Sequence, residues 1–160
     1  MTDSPSILFI CTGNLCRSPM AQALFLHLLQ NTHPDEASLW RIESAGTWTE
    51  DGKPAAMGAQ AAIDKFGLSL RNHLSVQVTN EMMENFNLVL VMEEGHKEAL
   101  RIEFPHRANR IFLLSEMVGA RFEIKDPIGG EPVEYESAAN QIEGLLEQGL
   151  GKIRLLAQVR

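Results

Sequence analysis

Two cysteines are all this 160-residue chain has, and two cannot build the disulfide framework of a small secreted domain. No second Cys or His pair stands at zinc spacing from them, so a structural metal is not expected. Long apolar runs are also missing. ILFI (7–10) and LVLVM (88–92) fall far short of the roughly 20 residues that a membrane helix needs, so no membrane partner is expected. Positive charge is scarce: 14 Lys and Arg stand against 21 Asp and Glu, a formal net charge of -7. The basic residues are scattered, which argues against a nucleic-acid surface. A small anion is not excluded, because one arginine and a set of backbone N–H groups can hold a phosphate whatever the global charge. The opening MTDSPS has neither a basic segment leading into an apolar one nor a small-residue cleavage pattern, and the expected location is the cytoplasm. No repeat, low-complexity tract or linker divides the chain. Its length suits one core, so residues 1–160 are expected to form a single domain.

What is there alternates in period. Ile7 to Ile10 is a continuous apolar run, and Met20 to Leu29 then repeats its apolar residues at helical spacing. WRIESAG (40–46) reads as a second strand, followed by an alanine-rich helix with Pro54 near its start and Gly67 as its stop. Thr79 suits the cap of a short helix through Glu84, NLVLVM (87–92) a buried strand, EGHKEALRIEF (94–104) a helix, and RIFLLS (110–115) a fourth strand. KDPIGGEPVEY (125–135) is a loop, and a closing helix begins near Glu134. Gly144, Gly149 and Gly151 each weaken that helix by roughly 1 kcal/mol relative to Ala, which predicts fraying or a break before Arg160. Strands separated by helices predict an α/β fold of three layers, a four-stranded parallel sheet flanked by helices. In such sheets ligands bind beyond the carboxyl ends of the strands, where strand order reverses. The segment CTGNLCRSP (11–19) leaves the first strand at that end and opens a helix.

That segment has the parts of a phosphate-binding loop. A loop entering a helix N-terminus turns several N–H groups inward, and the helix dipole adds partial positive charge. Arg17 supplies a planar fork for two phosphate oxygens. The same field stabilises a thiolate, which makes Cys11 a candidate nucleophile at neutral pH. A lone cysteine is more often only a small buried residue. The Gly-x4-Gly-Lys pattern of ATP-type loops is absent. The form CTGNLCRSPMA closely resembles the signature of the low-molecular-weight protein tyrosine phosphatases, in which Cys-x5-Arg-Ser-Pro follows the first strand. WRIESAG and NLVLVMEEGHKEAL resemble that family's second and third strands, and KDPIGG stands in the place of its Asp-Pro loop.

The resemblance implies a cysteinyl-phosphate formed on Cys11, with Thr12, Gly13, Asn14, Leu15, Cys16, Arg17 and Ser18 binding the phosphate. It makes Asp126 the acid that protonates the leaving group and then the base that activates water. No cofactor and no metal are implied. Asn14, Ser18, Ser44 and His73 resemble the family's support network for the loop. Ser18 also suits a helix N-cap, and Asp126 with two following glycines suits an ordinary turn. Cys16 is either a small side chain packed under the loop or a reversible redox partner of Cys11.

The substrate implied is a phosphorylated protein; oligomeric state is left open, a monomer included. In tyrosine phosphatases aromatic residues commonly follow the Asp-Pro, whereas here Ile128 and two glycines do. Leu15, Trp48 and Ile128 are expected at the substrate rim, although Trp48 equally suits a packing anchor. Protein arginine phosphatases also carry CTGN and an Asp-Pro-Phe-Gly-Gly loop, which DPIGG resembles, but they have a threonine where Leu15 stands. The loop therefore favours phosphotyrosine, with phosphoarginine the alternative. Arsenate reduction through the same loop needs two further cysteines downstream, and none follows Cys16. A non-catalytic phosphate-binding module is the remaining class. Tyr135, the only tyrosine, is expected to pack at the start of the last helix.

Overall fold

The computed structural model describes residues 4–158. Four strands, β1 (Ser6–Cys11), β2 (Arg41–Gly46), β3 (Leu88–Val91) and β4 (Ile111–Leu113), form one parallel sheet in the order β2-β1-β3-β4. The helices are α1 (Arg17–Thr32), α2 (Pro34–Ala37), α3 (Met57–Asp64), α4 (Asn80–Asn85), α5 (Glu94–Glu103) and α6 (Pro132–Gln158), with short 3-10 turns at Pro105–Arg110 and Leu114–Val118.

The continuous apolar runs of β1 and β3 follow from burial of both sheet faces. Ile7, Phe9, Leu88 and Leu90 enter a core with Phe25 and Leu29 of α1 and Ile142 and Leu146 of α6. Their alternates, Leu8, Ile10, Val89 and Val91, enter a second core with Met83 of α4, Phe86 just after it, Leu100 of α5 and Phe104 just past its end. Side chains alternate across a strand, so four consecutive apolar residues supply two layers at once.

Strand order also explains where the site lies. From β1 the chain moves to one neighbour, β2, and then crosses to the other, β3. The segments after β1 and β3 therefore leave the sheet in opposite directions and open a crevice between their carboxyl ends. Residues 12–16 and Met92–Glu93 bound it.

Several boundaries differ from expectation. α3 starts at Met57, not near Pro54, because Pro54 is held outside the helix in an antiparallel bridge with Leu74. Gly67 has φ 75°, the left-handed conformation that suits a residue just past a helix end. α6 neither frays nor breaks at its glycines and runs unbroken to Gln158. Gly149 is needed there: a Cβ would stand 2.7 Å from Met117 Cβ. Arg160 lies outside the described residues. The cap at Thr79 is as expected, its hydroxyl accepting from Met82 N–H at 3.2 Å. Tyr135 is buried over Gly58, where a Cβ would meet its ring at 2.4 Å. α2 and the 3-10 turns carry no apolar period and were not expected from the sequence.

Candidate active site

Loop 12–16 turns its carbonyls outward into the scaffold. The carbonyl oxygens of Cys11, Thr12 and Leu15 accept N–H groups from Thr47, Trp48 and Ala56 at 2.9, 3.0 and 3.0 Å, and Cys16 accepts from Met20 at 3.1 Å. His73 Nε2 donates to the Asn14 carbonyl at 2.7 Å, a partner with no proton of its own. Among the described residues no protein acceptor takes the N–H groups of Gly13, Asn14, Leu15 or Cys16. The loop is thus a one-sided dipole array, with the carbonyls of Thr12, Asn14, Leu15 and Cys16 bound and four donors free, which is the arrangement that holds an anion.

Asn14 fixes this shape. Its φ is 56°, the one positive value outside glycine among the described residues, and asparagine tolerates that region better than other non-glycine residues. Its Nδ2 donates to Ser18 Oγ at 2.8 Å and Ser44 Oγ at 2.9 Å, while Oδ1 accepts from Val76 N–H at 2.9 Å. Ser44 passes the chain on, donating to Gln22 Oε1 at 2.7 Å. Since Ser18 Oγ accepts from Asn14, its own proton is left for Cys11 Sγ at 3.0 Å, with the Ala45 carbonyl further away at 3.5 Å. Ser18 is therefore not the N-cap of α1. The helix begins one residue earlier, at Arg17, and its cap residue is Cys16 with no side-chain bond. The four expected support residues all converge on the loop.

Arg17 is 1% exposed, at the base of the cleft. Nη1 donates to Glu93 Oε2 at 2.5 Å and to the Ile124 carbonyl at 2.7 Å. Nη2 lies 3.5 Å from Asp126 Oδ2, and Nε has no partner. One edge of the guanidinium is thus anchored while the rest is left for the cleft. Asp126 Oδ1 accepts from Ile128 N–H at 3.1 Å, so the segment is both the turn its composition suggests and a carboxylate facing Arg17. A cavity of about 180 Å³ is lined by Cys11, Thr12, Gly13, Leu15, Cys16, Arg17, Asp126 and Ile128. Of the residues expected at a rim, Leu15 and Ile128 line this cavity. Trp48 does not line this cavity. Its backbone anchors Thr12 and its side chain is 85% exposed.

Both cysteines are free. Burial, with the charges of Asp126 and Cys11 nearby, pushes the Cys16 thiol up to about 12, so it stays a neutral thiol under the loop. Sequence reasoning missed Glu93 and His96. Glu93 anchors Arg17, its N–H donates to His96 Nδ1 at 3.1 Å, and His96 Nε2 meets Thr12 Oγ1 at 2.8 Å. The signal available was Glu93-x-x-His96 at the start of α5, a capping-box spacing with an unusual residue at its third position. No group of three or more His, Cys, Asp or Glu that could hold a metal occurs among the described residues. No helix among them is long and apolar enough to cross a membrane.

Fold and cleft together define an α/β protein with a phosphate-binding loop, a cysteine at its start and an arginine at its end. Comparison with known families is decisive: the model of the low molecular weight phosphotyrosine protein phosphatases matches residues 6–158, and the chain belongs to that family. A protein-arginine-phosphatase of Bacillus subtilis is 36% identical over 143 residues, covering 89% of this chain and 92% of that protein. The low molecular weight phosphotyrosine protein phosphatase of Gallus gallus is 33% identical over 145 residues, 85% and 87% of the two chains. Among solved structures, a low molecular weight protein tyrosine phosphatase from T. tengcongensis superposes with a TM-score of 0.86 at 31% identity, over 93% of this chain and 99% of that one. The family's reaction class is hydrolysis of a phosphoric monoester.

Proposed function

We propose that this chain is a protein tyrosine phosphatase in which Cys11 is the nucleophile, Arg17 and the loop amides bind the phosphoryl group, and Asp126 is the general acid and base. The observation that carries the reading is the polarity of loop 12–16: the carbonyls of Thr12, Asn14, Leu15 and Cys16 are hydrogen-bonded while the N–H groups of residues 13–16 have no protein acceptor among the described residues. The Cys11 sulfur attacks phosphorus, the P–O bond to the phenol breaks, and Asp126 gives its proton to the departing oxygen. Water then attacks phosphorus and passes a proton to Asp126. The S–P bond breaks and Cys11 is restored as a thiolate, which Ser18 Oγ can stabilise from 3.0 Å. Charge grows on the equatorial oxygens during both steps, and fixed donors meet it without reorganising. The substrate is a phosphorylated protein, and the compartment is the cytoplasm, where both thiols stay reduced.

Wild type is expected to hydrolyse p-nitrophenyl phosphate and Cys11→Ser to run at background. Equal, background-level rates in both would leave a phosphate-binding module rather than an enzyme.

A second reading, protein arginine phosphatase, is favoured by Ile128-Gly129-Gly130 after the Asp-Pro, a small wall in place of an aromatic slot, and by the arginine phosphatase relatives. Leu15 opposes it, having no hydroxyl to orient water or to meet a guanidinium. Rates on phosphotyrosine and phosphoarginine peptides, measured side by side, decide. Faster release from phosphoarginine would replace the first reading with the second.

A further inference from the structure

His96 is buried at the first turn of α5, yet its ring touches both ends of the catalytic apparatus. Its Nδ1 accepts the Glu93 N–H at 3.1 Å, and its Nε2 lies 2.8 Å from the hydroxyl of Thr12, the residue that follows Cys11. The first contact fixes the chemistry of the second. Nδ1 facing an N–H must carry a lone pair, so the neutral ring bears its proton on Nε2 and donates it to Thr12 Oγ1. A Thr12 hydroxyl that accepts from His96 keeps its own proton to donate elsewhere. Thr12 is exposed and lines the cleft beside Asp126.

We propose that His96 is a positioning residue: as the Nε2–H tautomer it orients the Thr12 hydroxyl as a donor into the cleft, and through the Glu93 backbone it steadies the carboxylate that anchors Arg17. The inference rests on the phosphatase reading and assigns a role to two side chains which that reading leaves idle. The surroundings keep the ring neutral. Burial opposes its protonation first, and the adjacent Arg17 opposes it next, against the weaker attraction of Glu93, Asp126 and Glu123. A second proton would also set Nδ1–H against the Glu93 N–H.

Two substitutions separate the two halves of the ring. In His96→Asn the shorter amide oxygen can still accept the Glu93 N–H while nothing reaches Thr12. In His96→Gln the longer amide can still donate toward Thr12. Expected on p-nitrophenyl phosphate is a loss in kcat of about tenfold for His96→Asn, the size of one hydrogen bond, and a smaller loss for His96→Gln. Thr12→Val should lose about as much as His96→Asn, and the double variant Thr12→Val/His96→Asn no more than either alone, because both remove one donor. Losses that multiply in the double variant, or either single variant within twofold of wild type, would overturn the proposal. Nitrogen NMR of the His96 ring in the full chain gives a readout that needs no turnover. It should show a protonated Nε2 and a bare Nδ1 at pH 7, with the Nε2 signal moving in Thr12→Val, and a protonated Nδ1 would overturn the proposal. If wild type is no faster than Cys11→Ser, the phosphatase reading has failed, and the ring measurement alone decides whether His96 orients Thr12.

Discussion

Replacing Asn14 by alanine should remove more stability than any other single polar substitution in the loop. The side chain makes three hydrogen bonds, at 2.8 Å to Ser18, 2.9 Å to Ser44 and 2.9 Å from Val76 N–H, and all are out of contact with solvent at the asparagine, which is fully buried. Each is worth roughly 1 kcal/mol net. Alanine must also hold φ near 56°, where its Cβ crowds the following carbonyl at a cost of about 1–2 kcal/mol. The sum is about 4 kcal/mol, a large share of the roughly 5–15 kcal/mol typical of a domain. Asn14→Gly loses the same three bonds but is spared most of the φ cost, so it should fall by about 3 kcal/mol.

Urea unfolding at pH 7.5, followed by the fluorescence of the buried Trp40, measures both. An alanine variant that loses less than about 1.5 kcal/mol would mean that the network does not stabilise the native loop. A glycine variant no more stable than the alanine variant would mean that the backbone at residue 14 is unstrained. Turnover separates the two contributions further. Glycine should recover stability relative to alanine without recovering rate, because Ser18 Oγ has lost the donor that turns its proton toward Cys11.

Four further outcomes are expected. Gly149→Ala should lower the melting temperature, since its Cβ would lie 2.7 Å from Met117 Cβ, whereas Gly144→Ala, whose nearest neighbour is Gln148 Nε2 at 4.0 Å, should raise it by the ~0.5–1 kcal/mol gained in helix propensity; equal effects would refute this account of α6. Burial holds His73 and His96 below the usual histidine range, so the unfolded chain binds protons that the folded chain refuses, and this contribution is present above pH 6.5 and lost as pH falls from there through the lower folded values. The urea midpoint should therefore be lower at pH 5.5 than at 7.5, and a smaller drop in His73→Gln assigns its share. Asp126→Asn should slow substrates with poor leaving groups more than p-nitrophenyl phosphate, which needs little protonation, and a uniform loss would count against the acid role. Leu15→Thr should raise the rate on phosphoarginine relative to phosphotyrosine; an unchanged ratio would remove residue 15 from the determinants of specificity.

How much of this was legible in the sequence depends on the range of each interaction. β1 and β3 were readable because a strand buried on both faces must be continuously apolar, and Cys11, Arg17 and Ser18 because one short loop holds all three. The partners of Arg17 were not: Glu93 and the Ile124 carbonyl come from 76 and 107 residues away, and the capping-box spacing at Glu93 marks a helix start without pointing to Arg17. Pro54 misled for a related reason. Near an alanine-rich run it suggests a helix start, and only a bridge to Leu74 shows that the chain is held extended there.

The segment between β2 and α4 has one short helix and otherwise irregular backbone, and its function accounts for this. Thr47 donates to the Cys11 carbonyl just ahead of the loop, and Trp48, Ala56, His73 and Val76 donate to loop 12–16 or to the Asn14 side chain. Regular structure would spend those donors on itself; an irregular strap leaves them free to bind outward-facing carbonyls. The frame of the loop is consequently held through backbone groups and the side chains of Asn14 and His73, and the Leu15 side chain makes no hydrogen bond in it. Leu15 contributes its carbonyl to the frame, bound by Ala56 N–H at 3.0 Å, while its half-buried side chain lines the cleft and packs against the edge of the core. A change of side chain at residue 15 can therefore reshape the cleft wall while the carbonyl that ties residue 15 to Ala56 N–H stays in place.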